Sequence, residues 1–447
     1  MGIGGVGMSG LARMLVRRGY HVTGSDMADS PIVSQLADEG IPVWIGHSAE
    51  NVGLVDLVIT TAAAPSSNPE LVTARERGIP IVKRAAVLGL LCSSRVCFAV
   101  AGTHGKSTTS GMLSYALDRA GAAPSFAVGA DVSQLGTNAR SGDGPYFIAE
   151  ADEYDYSFLW IKPDIAIVTN IEHDHPDIFP DLDAVERAYA QFVSGIKPDG
   201  TLIISGDDPG CRILLHGFDR APSNVVTFGF SDHADVRIER VAGRDHFHMP
   251  GAGTIRTRLR IPGSHNRLNA AACLAAAEAA GIDPVTLLPG LEDFEGVGRR
   301  FDVKGEADGV TVVEDYAHHP TEIRATITAT RERFPAGKVI IVFQPHTYSR
   351  TKALLSDFSS ALSLSDRVIL VPIYAARESD DLGVSSDDVA QGVERIEAVS
   401  VDTLEDAARA AADDARPGDV ILVMGAGDVW KVSSETIRRL SHRSAIT

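Results

Sequence analysis

The chain has 447 residues, 44% of them hydrophobic, so it is long enough for about three domains with sizeable cores, and a wholly disordered polypeptide is excluded. Its 59 acidic residues outnumber the 41 basic ones, and the net charge of −18 argues against non-specific binding to nucleic acid or to an anionic membrane. The sequence shows neither the run of ~18 apolar residues that a membrane helix needs nor a signal peptide, so we expect a cytoplasmic protein without nucleic-acid or membrane partners.

The four cysteines, Cys92, Cys97, Cys211 and Cys273, form no CxxC pair. We therefore predict reduced and mostly buried thiols rather than a disulfide framework or a structural zinc site.

The first block, residues 1–96, alternates short β-rich runs with helical stretches, a pattern typical of βαβ units around a parallel sheet. The predicted helices and strands are Gly10–Arg18, Tyr20–Gly24, Pro31–Glu39, Val43–Ile45, Val55–Thr60 and Ile79–Val82.

A glycine-rich segment precedes the first of these helices. Gly2, Gly4 and Gly7 fit the pattern G-x-G-x-x-G, in which glycines let the backbone approach a diphosphate at a helix N-terminus. Asp26 follows at roughly the spacing of a ribose-binding acid, and a glycine-rich turn without a ligand stays open as the alternative. Because this pattern normally follows a strand, we expect that translation starts upstream of Met1 and that a first strand is missing. The intact mass of the native protein tests this expectation.

The second block, residues 97–298, opens with a buried strand at Val96–Ala101, a loop and a helix at Ser107–Ala120. Further buried strands are predicted at Tyr146–Ala149 and Ile165–Thr169, and the alanine-rich segment Ala270–Ala280 predicts a helix.

The loop after the first of these strands ends in Gly-Lys-Ser and predicts a phosphate-binding site. Gly102 and Gly105 expose backbone N–H groups to phosphate oxygens, Lys106 supplies a positive charge for the β- and γ-phosphates, and the Ser107 hydroxyl can reach Mg²⁺. Val100 stands where the strict Walker pattern has glycine, so the match is partial.

Two acidic stretches follow the next two strands of this block. The first contains Glu150, Asp152, Glu153 and Asp155, and the second runs from Glu172 to His175. Open α/β sheets place their ligands at the carboxyl ends of the strands, so we expect at least one of these carboxylates to bind the metal of the nucleotide. Magnesium, or manganese, fits oxygen donors beside a phosphate loop better than zinc does, and some of these charges are simply solvated loop residues.

The third block, residues 299–447, has predicted strands at Val310–Glu314, Lys338–Phe343, Arg367–Val371 and Val420–Met424, with helices between them. It reads as another doubly wound α/β unit. The predicted fold class is therefore α/β, with three domains on mostly parallel sheets: a Rossmann-like first domain, a central P-loop domain and a Rossmann-like third domain.

Several polar residues near and within the third block are candidate ligand contacts. His265 and Asn266 open the alanine-rich helix, where they either cap it or contact a nucleobase. Arg299 and Arg300 lie at the block boundary, where an arginine reaches a γ-phosphate or is simply solvated. The loops that follow two neighbouring strands carry Asp315 to His319 and Arg350, and an arginine is suited to clamp a carboxylate.

Together these motifs resemble one family, the muramyl ligases of peptidoglycan synthesis. The similarity covers nearly the whole chain in order through GIGGVGMSGLA, AGTHGKSTT, EADEYD, TNIEHDH, PGSHNRLNAA, GRRFD, DYAHHPTEI, FQPHTYSRT and MGAGDV. It implies a UDP-binding domain, an ATPase domain and a third domain that closes over the site. It also implies an ATP-dependent ligation of L-alanine to the lactyl carboxylate of UDP-N-acetylmuramate through an acyl phosphate, by a monomer or homodimer.

The resemblance also implies roles for individual residues. For the UDP-sugar the matching positions are Gly4, Gly7, Ser9, Asp26 and His47. For ATP they are Gly102, Thr103, His104, Gly105, Lys106, Ser107, Thr108, His265, Asn266, Arg300 and Asp315. For the metal they are Ser107, Glu150 and His175, and for the amino-acid and muramoyl groups Tyr316, His318 and Arg350. The expected catalytic residues are Lys106, Arg300, His318 and Arg350, with His318 as candidate acceptor of the amine proton.

The sequence departs from the family pattern in a few places. Ser107 replaces a common threonine and keeps the hydroxyl, His173 and Pro176 alter the surroundings of the metal histidine, and Thr347 stands where many relatives carry arginine. The absence of lysine between Pro176 and Ile196 fits the alanine-adding type, since relatives that add later amino acids carry a carbamylated lysine there.

Three other interpretations stay open at this point. One is a recycling ligase that joins a murein tripeptide to the same nucleotide sugar. The others are a dinucleotide-dependent oxidoreductase, which rests on the glycine-rich start alone, and a non-catalytic nucleotide-binding regulator.

Overall fold

A computed structural model of the chain describes residues 1–61, 64–176, 178–217, 222, 224–376 and 378–444. The chain forms two compact units. Unit 1 comprises Met1–Asp174, Asp181–Arg260 and Leu268–Glu295, and unit 2 comprises His175–Pro180, Ile261–Arg267 and Gly296–Thr447. Within the described ranges, no helix combines the length and apolarity that crossing a membrane requires.

Unit 1 begins with short strands that alternate with helices, as predicted. These elements are α1 (Val6–Arg17), β1 (Gly24–Asp26), α2 (Pro31–Asp38), β2 (Val43–Ile45), β3 (Val58–Thr60), α3 (Pro69–Glu76), β4 (Ile81–Lys83) and α4 (Arg84–Cys92). Two of the helix starts follow from local sequence, because the Ser30 and Asn68 side chains accept backbone N–H bonds at the starts of α2 and α3, and proline follows each of them.

These four strands form two separate parallel pairs, β1 with β2 and β3 with β4, rather than one continuous sheet. Residues 1–3 lie between the pairs, where the Met1 amino group donates to the Ile59 carbonyl (2.9 Å) and the Ile3 N–H to the Ser25 carbonyl (3.0 Å). The predicted strand at Tyr20–Gly24 is wrong. Within the described part of the chain this strand pairs only with the three-residue strand Val43–Ile45, so it starts at Gly24, and Tyr20 is 63% exposed.

A ten-stranded sheet forms the centre of unit 1. Its strands are β5 (Val96–Ala101), β6 (Ser125–Val132), β7 (Thr137–Arg140), β8 (Tyr146–Glu150), β9 (Ile165–Val168), β10 (Thr201–Ser205), β11 (Asn224–Gly229), β12 (Val236–Val241), β13 (Arg244–Met249) and β14 (Gly253–Thr257). The helices are α5 (Lys106–Arg119), α6 (Leu182–Ser194), α7 (Pro209–His216), α8 (Ser264–Ala279) and α9 (Leu288–Asp293).

The strand order is β14-β13-β12-β11-β10-β9-β5-β8-β6-β7, parallel from β12 to β6 and antiparallel at both edges. Strand β5 lies between β8 and β9, with Val100 opposite Glu150 and Ala101 opposite Val168. The carboxyl ends of these three strands therefore lie side by side. The phosphate loop and both acidic stretches follow these carboxyl ends, so they start on the same side of the sheet. All four cysteines are free and buried, as predicted.

Unit 2 is built on a six-stranded sheet in the order β15-β16-β20-β17-β18-β19. The strands are β15 (Asp302–Ala307), β16 (Val310–Asp315), β17 (Val339–Phe343), β18 (Arg367–Leu370), β19 (Glu397–Ser400) and β20 (Val420–Met424). The helices are α10 (Pro320–Arg333), α11 (Tyr348–Ala353), α12 (Leu355–Leu362), α13 (Ser386–Gln391), α14 (Leu404–Asp414) and α15 (Lys431–Ser444).

Both faces of this second sheet are covered by helices. Ile340 and Val342 belong to a core cluster with residues of α14 and α15, whereas Ile341 and Phe343 belong to a cluster with residues of α10 and α12. Successive residues of a strand point to opposite faces, so the continuous apolar run of β17 fits a strand buried on both sides. The predicted α/β class is confirmed.

Candidate active site

The phosphate loop connects the buried strand β5 to helix α5. Gly102 and Gly105 have φ angles of +137° and +83°, in the region that favours glycine. A side chain on Gly102 would also come within 1.9 Å of the Thr169 hydroxyl oxygen. Lys106, Ser107 and Thr108 form the first turn of α5, so the loop presents its N–H groups and the positive end of the helix dipole to an anion.

The Lys106 side chain is held within this loop by contacts with three residues. Its Nζ donates to the carbonyl oxygens of Gly102 (2.6 Å) and Thr103 (3.1 Å), and it contacts both carboxylate oxygens of Glu153, at 2.9 and 2.8 Å. Burial disfavours the charge on Lys106, but the attraction of Glu153 and Asp152 outweighs it and raises the pKa of Lys106 to about 12. The ammonium group therefore stays protonated at neutral pH.

The predicted metal ligands Ser107 and Glu150 lie side by side. The Ser107 hydroxyl donates to one carboxylate oxygen of Glu150 (2.9 Å), and the Gly129 N–H donates to the other (2.6 Å). Burial is the main cause that raises the pKa of Glu150 above its ordinary value. A half-buried carboxylate beside a hydroxyl is a fitting pair of hard oxygen donors for Mg²⁺.

The segment after β9 braces the phosphate loop, a role that we did not predict. The Asn170 side chain accepts the His104 N–H (2.8 Å), and the Thr169 hydroxyl donates to the His104 carbonyl (2.5 Å). The Thr103 hydroxyl accepts the Glu172 N–H (2.9 Å), and the His104 ring lies 3.7 Å from the Glu172 carboxylate. Threonine and asparagine directly after a strand that pairs with β5 were the available signal.

The glycine-rich start forms a tight loop that leads into α1. Asp26 accepts the Gly4 N–H (2.8 Å), so this acid shapes the glycine loop itself. Gly7 lies in the first turn of α1, where an added side chain would come within 2.9 Å of the Arg84 guanidinium. Ser9 is buried in α1, and its hydroxyl donates to the Val6 carbonyl (2.9 Å).

One cavity of about 270 Å³ in unit 1 joins this glycine loop to the carboxylates beside the phosphate loop. Gly5 and Gly7 line one part of it, and Glu150 and Asp152 line another. Arg84, at the start of α4, also lines the cavity. The sequence analysis did not predict this residue, although the basic dipeptide Lys83-Arg84 directly follows a predicted strand.

His47, which follows β2, belongs to a polar network that includes Ser25 of β1. The Glu70 carboxylate contacts His47 Nδ1 (3.2 Å) and accepts from the Ser25 hydroxyl (2.7 Å) and the Asn51 amide (2.8 Å). Burial opposes the charge on Glu70, but these hydrogen bonds outweigh it and lower its pKa. Glu70 is a functional candidate that sequence reasoning missed.

In unit 2, two arginines enclose one aromatic ring. The guanidinium carbons of Arg299 and Arg300 lie 4.8 and 5.0 Å from the centre of the Tyr316 ring. Arg299 donates to the carbonyls of Gly425 (2.9 Å) and Gly427 (3.2 Å), whereas Arg300 donates to Glu322 (3.0 Å). Arg299 thereby ties the start of unit 2 to the loop after β20.

Asp315 ends strand β16 and accepts the N–H groups of Phe301 (2.9 Å) and Ala317 (2.7 Å). Burial raises the pKa of Asp315 to about 6, although the Arg300 charge and these two hydrogen bonds act in the opposite direction. Asp315 therefore fixes the loop that carries Tyr316 and His318.

The predicted amino-acid site is a cluster of rings next to a buried arginine. The His318 ring lies 5.3 Å from the Tyr316 ring and 5.9 Å from the His346 ring, measured between centres. His346 stacks on Tyr374 at 5.6 Å, and its Nδ1 lies 3.3 Å from an Arg350 nitrogen. The structure thus brings Tyr316, His318 and Arg350 together, and it adds His346 and Tyr374.

His265 and Asn266 lie in the first turn of helix α8, in the segment Ile261–Arg267 that belongs to unit 2. The Asn266 amide donates to the Pro262 carbonyl (2.6 Å), so it helps to fix the helix start. Burial, reinforced by the charges of Arg267 and Arg300, lowers the pKa of His265 to about 4. His265 is therefore neutral at pH 7. His175 also lies in unit 2, with a φ of +55°.

The fold and these sites define a P-loop nucleotide-binding enzyme of the α/β class. Residues 1–95 match the family model described as Mur ligase family, catalytic domain, residues 100–277 match the Mur ligase middle domain, and residues 299–427 match the Mur ligase, glutamate ligase domain. The chain belongs to the Mur ligase family, whose members use ATP.

Individual relatives agree with this assignment. The chain is 43% identical to the UDP-N-acetylmuramate--L-alanine ligase of Mycolicibacterium vanbaalenii, over 99% of this chain and 96% of the relative. Among solved structures, the UDP-N-acetylmuramate-alanine ligase of Thermotoga maritima superposes with a TM-score of 0.82 at 29% identity, covering 99% and 98% of the two chains. The UDP-N-acetylmuramate:L-alanyl-gamma-D-glutamyl-meso-diaminopimelate ligase of Neisseria meningitides matches 67% of this chain and 98% of its own, with 30% identity and a TM-score of 0.62.

Proposed function

We propose that the protein joins L-alanine to the lactyl carboxylate of UDP-N-acetylmuramate with hydrolysis of ATP, and that the products are UDP-N-acetylmuramoyl-L-alanine, ADP and phosphate. The near full-length similarity to ligases of that name supports the choice of substrates. Because ATP and UDP-sugars are cytoplasmic metabolites, we place the reaction in the cytoplasm.

One observation carries this proposal. The cavity of unit 1 extends from the glycine loop at the start of α1 to Glu150 and Asp152 beside the phosphate loop. A nucleotide sugar whose diphosphate lies on the glycine loop would thus direct its sugar towards the phosphate loop. An oxidoreductase is disfavoured, because the glycine-rich start falls within the segment that matches a Mur ligase model.

In the first step a carboxylate oxygen of the muramoyl group attacks the γ-phosphorus of ATP, and the bond to the ADP oxygen breaks. Lys106 and Arg300 are the proposed residues that balance the charge of the transferred phosphoryl group. The N–H groups of the phosphate loop hold the remaining phosphates, and the neutral His265 together with Asn266 is the proposed contact to the adenine.

Ser107 and Glu150 are the proposed protein ligands of Mg²⁺, with His175 as a further candidate. Their fit rests on the Glu150 carboxylate, which accepts a hydrogen bond from the Ser107 hydroxyl. The ion supplies positive charge to the phosphate oxygens when it is bound.

In the second step the alanine amine attacks the carbonyl carbon of the acyl phosphate, phosphate leaves, and the amine loses a proton. Nδ1 of His318 lies 2.9 Å from the Tyr316 carbonyl. We assign the neutral tautomer in which Nδ1–H donates to this carbonyl, so that Nε2 is the nitrogen that would take up the amine proton. The Glu322 carboxylate, 3.3 Å from Nδ1, would stabilise the protonated ring. We propose that Arg350 binds the alanine carboxylate.

Phosphate release tests this proposal with ATP, Mg²⁺ and UDP-N-acetylmuramate, in the presence of single amino acids or of the tripeptide L-alanyl-γ-D-glutamyl-meso-diaminopimelate. We expect release that requires L-alanine. Release with the tripeptide alone would instead assign the recycling reaction, a second candidate that the 30% identity to the Neisseria enzyme favours.

A further inference from the structure

The ammonium group of Lys106 has no hydrogen-bond donor left over for a phosphate. A lysine has three N–H donors, and here they contact the Gly102 carbonyl, the Thr103 carbonyl and the Glu153 carboxylate. Two of these partners are backbone groups of the phosphate loop itself. The third is an anion, and its two oxygens lie within 2.9 Å of Nζ.

Glu153 is built into this position. Its side chain is only 3% exposed, and it follows strand β8 by three residues. Two and three residues further on, Asp155 and Tyr156 have φ angles of +54° and +55°, a conformation that is costly for residues other than glycine. Lys83 binds the Asp155 carboxylate at 2.6 Å and so anchors the same turn. The backbone thus adopts a strained turn that begins two residues after the residue that contacts Lys106.

We infer that Glu153 occupies the phosphate-binding position of Lys106 in the nucleotide-free protein, and that the β- and γ-phosphates displace it when a nucleotide binds. The inference rests on the proposed function, because it takes ATP as the ligand of this loop. A carboxylate with two oxygens on one ammonium resembles a phosphate in charge and in hydrogen-bonding pattern. Glu153 therefore competes with the nucleotide, and the affinity of the loop for nucleotide is lower than its N–H groups and lysine alone would give.

The neighbouring carboxylate of Asp152 provides the control for this test. Asp152 is adjacent in sequence and also acts on Lys106 through its charge, yet its carboxylate accepts the Tyr154 N–H (3.2 Å). Removal of the Asp152 charge therefore reports the general electrostatic effect on a bound nucleotide. Any larger effect at Glu153 reports the direct contact with Lys106.

The test is the dissociation constant of ADP for the full-length protein, measured by isothermal titration calorimetry in EDTA so that metal binding does not contribute. We expect Glu153→Gln to bind ADP about tenfold more tightly than the wild type, as loss of one charge-assisted contact predicts. Glu153→Asp keeps the charge but is one methylene shorter, so it should also bind ADP more tightly. Asp152→Asn should change the constant much less.

AMP separates this competition from a structural effect, because it lacks the β- and γ-phosphates. We expect the affinity for AMP to be the same in the wild type and in both Glu153 variants. Urea unfolding midpoints show that each variant is folded, and Glu153→Asp keeps the test valid if Glu153→Gln does not fold.

Unchanged or weaker ADP binding by both Glu153 variants would overturn the inference, and so would an equal gain in Asp152→Asn. If the wild type binds ADP and the Glu153 variants bind it with the same affinity, the inference is contradicted but the proposed function is not. A wild-type protein that binds neither ADP nor ATP, with or without Mg²⁺, contradicts the proposed function and the inference with it.

Discussion

At the scale of single residues, burial acts on Lys106, Glu150 and Glu153 beside the phosphate loop, and their neighbours modify the result. Lys106 keeps its charge because Glu153 and Asp152 lie close to it, whereas burial raises the pKa values of Glu153 and Glu150 above their ordinary values. A divalent cation that arrives with ATP would favour the charged forms of both carboxylates.

Replacement of Lys106 by alanine removes the charge that we assign to the transferring phosphoryl group. We expect kcat to fall by about 10²- to 10³-fold with the fold intact, because this interaction strengthens in the transition state. Phosphate release measures the rate, and circular dichroism checks the fold. Lys162→Ala is the matched control, since Lys162 is exposed in the same unit. Near-wild-type turnover of Lys106→Ala would refute the assigned role.

Replacement of Arg350 by alanine tests the proposed clamp on the amino acid. Arg350 is 5% exposed and contacts His346, so its loss should raise KM for L-alanine about tenfold or more. The KM values for ATP and UDP-N-acetylmuramate should change little. Steady-state kinetics of Arg350→Ala and of the exposed Arg409→Ala provide the comparison, and an unchanged KM for alanine removes Arg350 from the clamp.

Glu70 gives a prediction on pH. Its pKa is lowered in the folded protein, so the charged carboxylate stabilises the fold above the ordinary carboxyl pKa, and this stabilisation is lost as the pH falls through the lower, folded-state value. Glu70→Gln should therefore be destabilised by about 1–3 kcal/mol at pH 7 and by much less at pH 3.5. Urea midpoints at both pH values measure the difference, and an equal loss at both would show that charge is not the cause.

At the scale of elements, strands that are predicted from a continuous apolar run have the most accurate bounds. The strand Val96–Ala101 and the strand Val420–Met424 have the predicted bounds, because each is buried on both faces and ends at a glycine. The strand at Tyr20 is wrong, since ladder length depends on a partner that is distant in sequence. The hairpin strands β12 to β14 and β15 were not predicted either, although their partners are close in sequence.

Contacts between helices and strands could not be predicted from the sequence either, and the contact of Gly10 is an example. An added side chain on Gly10 of α1 would come within 2.6 Å of Ala139 Cβ on β7, and Asn138 beside it donates to the Val6 carbonyl (3.0 Å). Gly10→Ala should push α1 away from β7, disturb the glycine loop and raise KM for the UDP-sugar several-fold.

The control for Gly10→Ala is Gly217→Ala, where an added Cβ would lie an ordinary 3.4 Å from the Ile213 carbonyl oxygen. Steady-state kinetics with varied UDP-N-acetylmuramate provide the test. Equal KM values for Gly10→Ala, Gly217→Ala and the wild type would show that α1 tolerates the added methyl group.

At the scale of the whole molecule, the order of the motifs along the chain carried more information than any motif alone. The glycine-rich start by itself fits an oxidoreductase, and the phosphate loop by itself fits many nucleotide-binding proteins. Their order predicted the family, which the matches over residues 1–95, 100–277 and 299–427 confirm. Arg84 and Glu70 were not predicted as functional residues, and Glu153 was predicted only as one of several candidate metal ligands, because their contacts are with residues distant in sequence.

The choice of amino acid is the central claim, and phosphate release from ATP tests it most directly. With Mg²⁺ and UDP-N-acetylmuramate present, we predict release that depends on L-alanine and yields a nucleotide product heavier by one alanyl residue in mass spectrometry. Release that requires the tripeptide and is not supported by L-alanine would contradict the account.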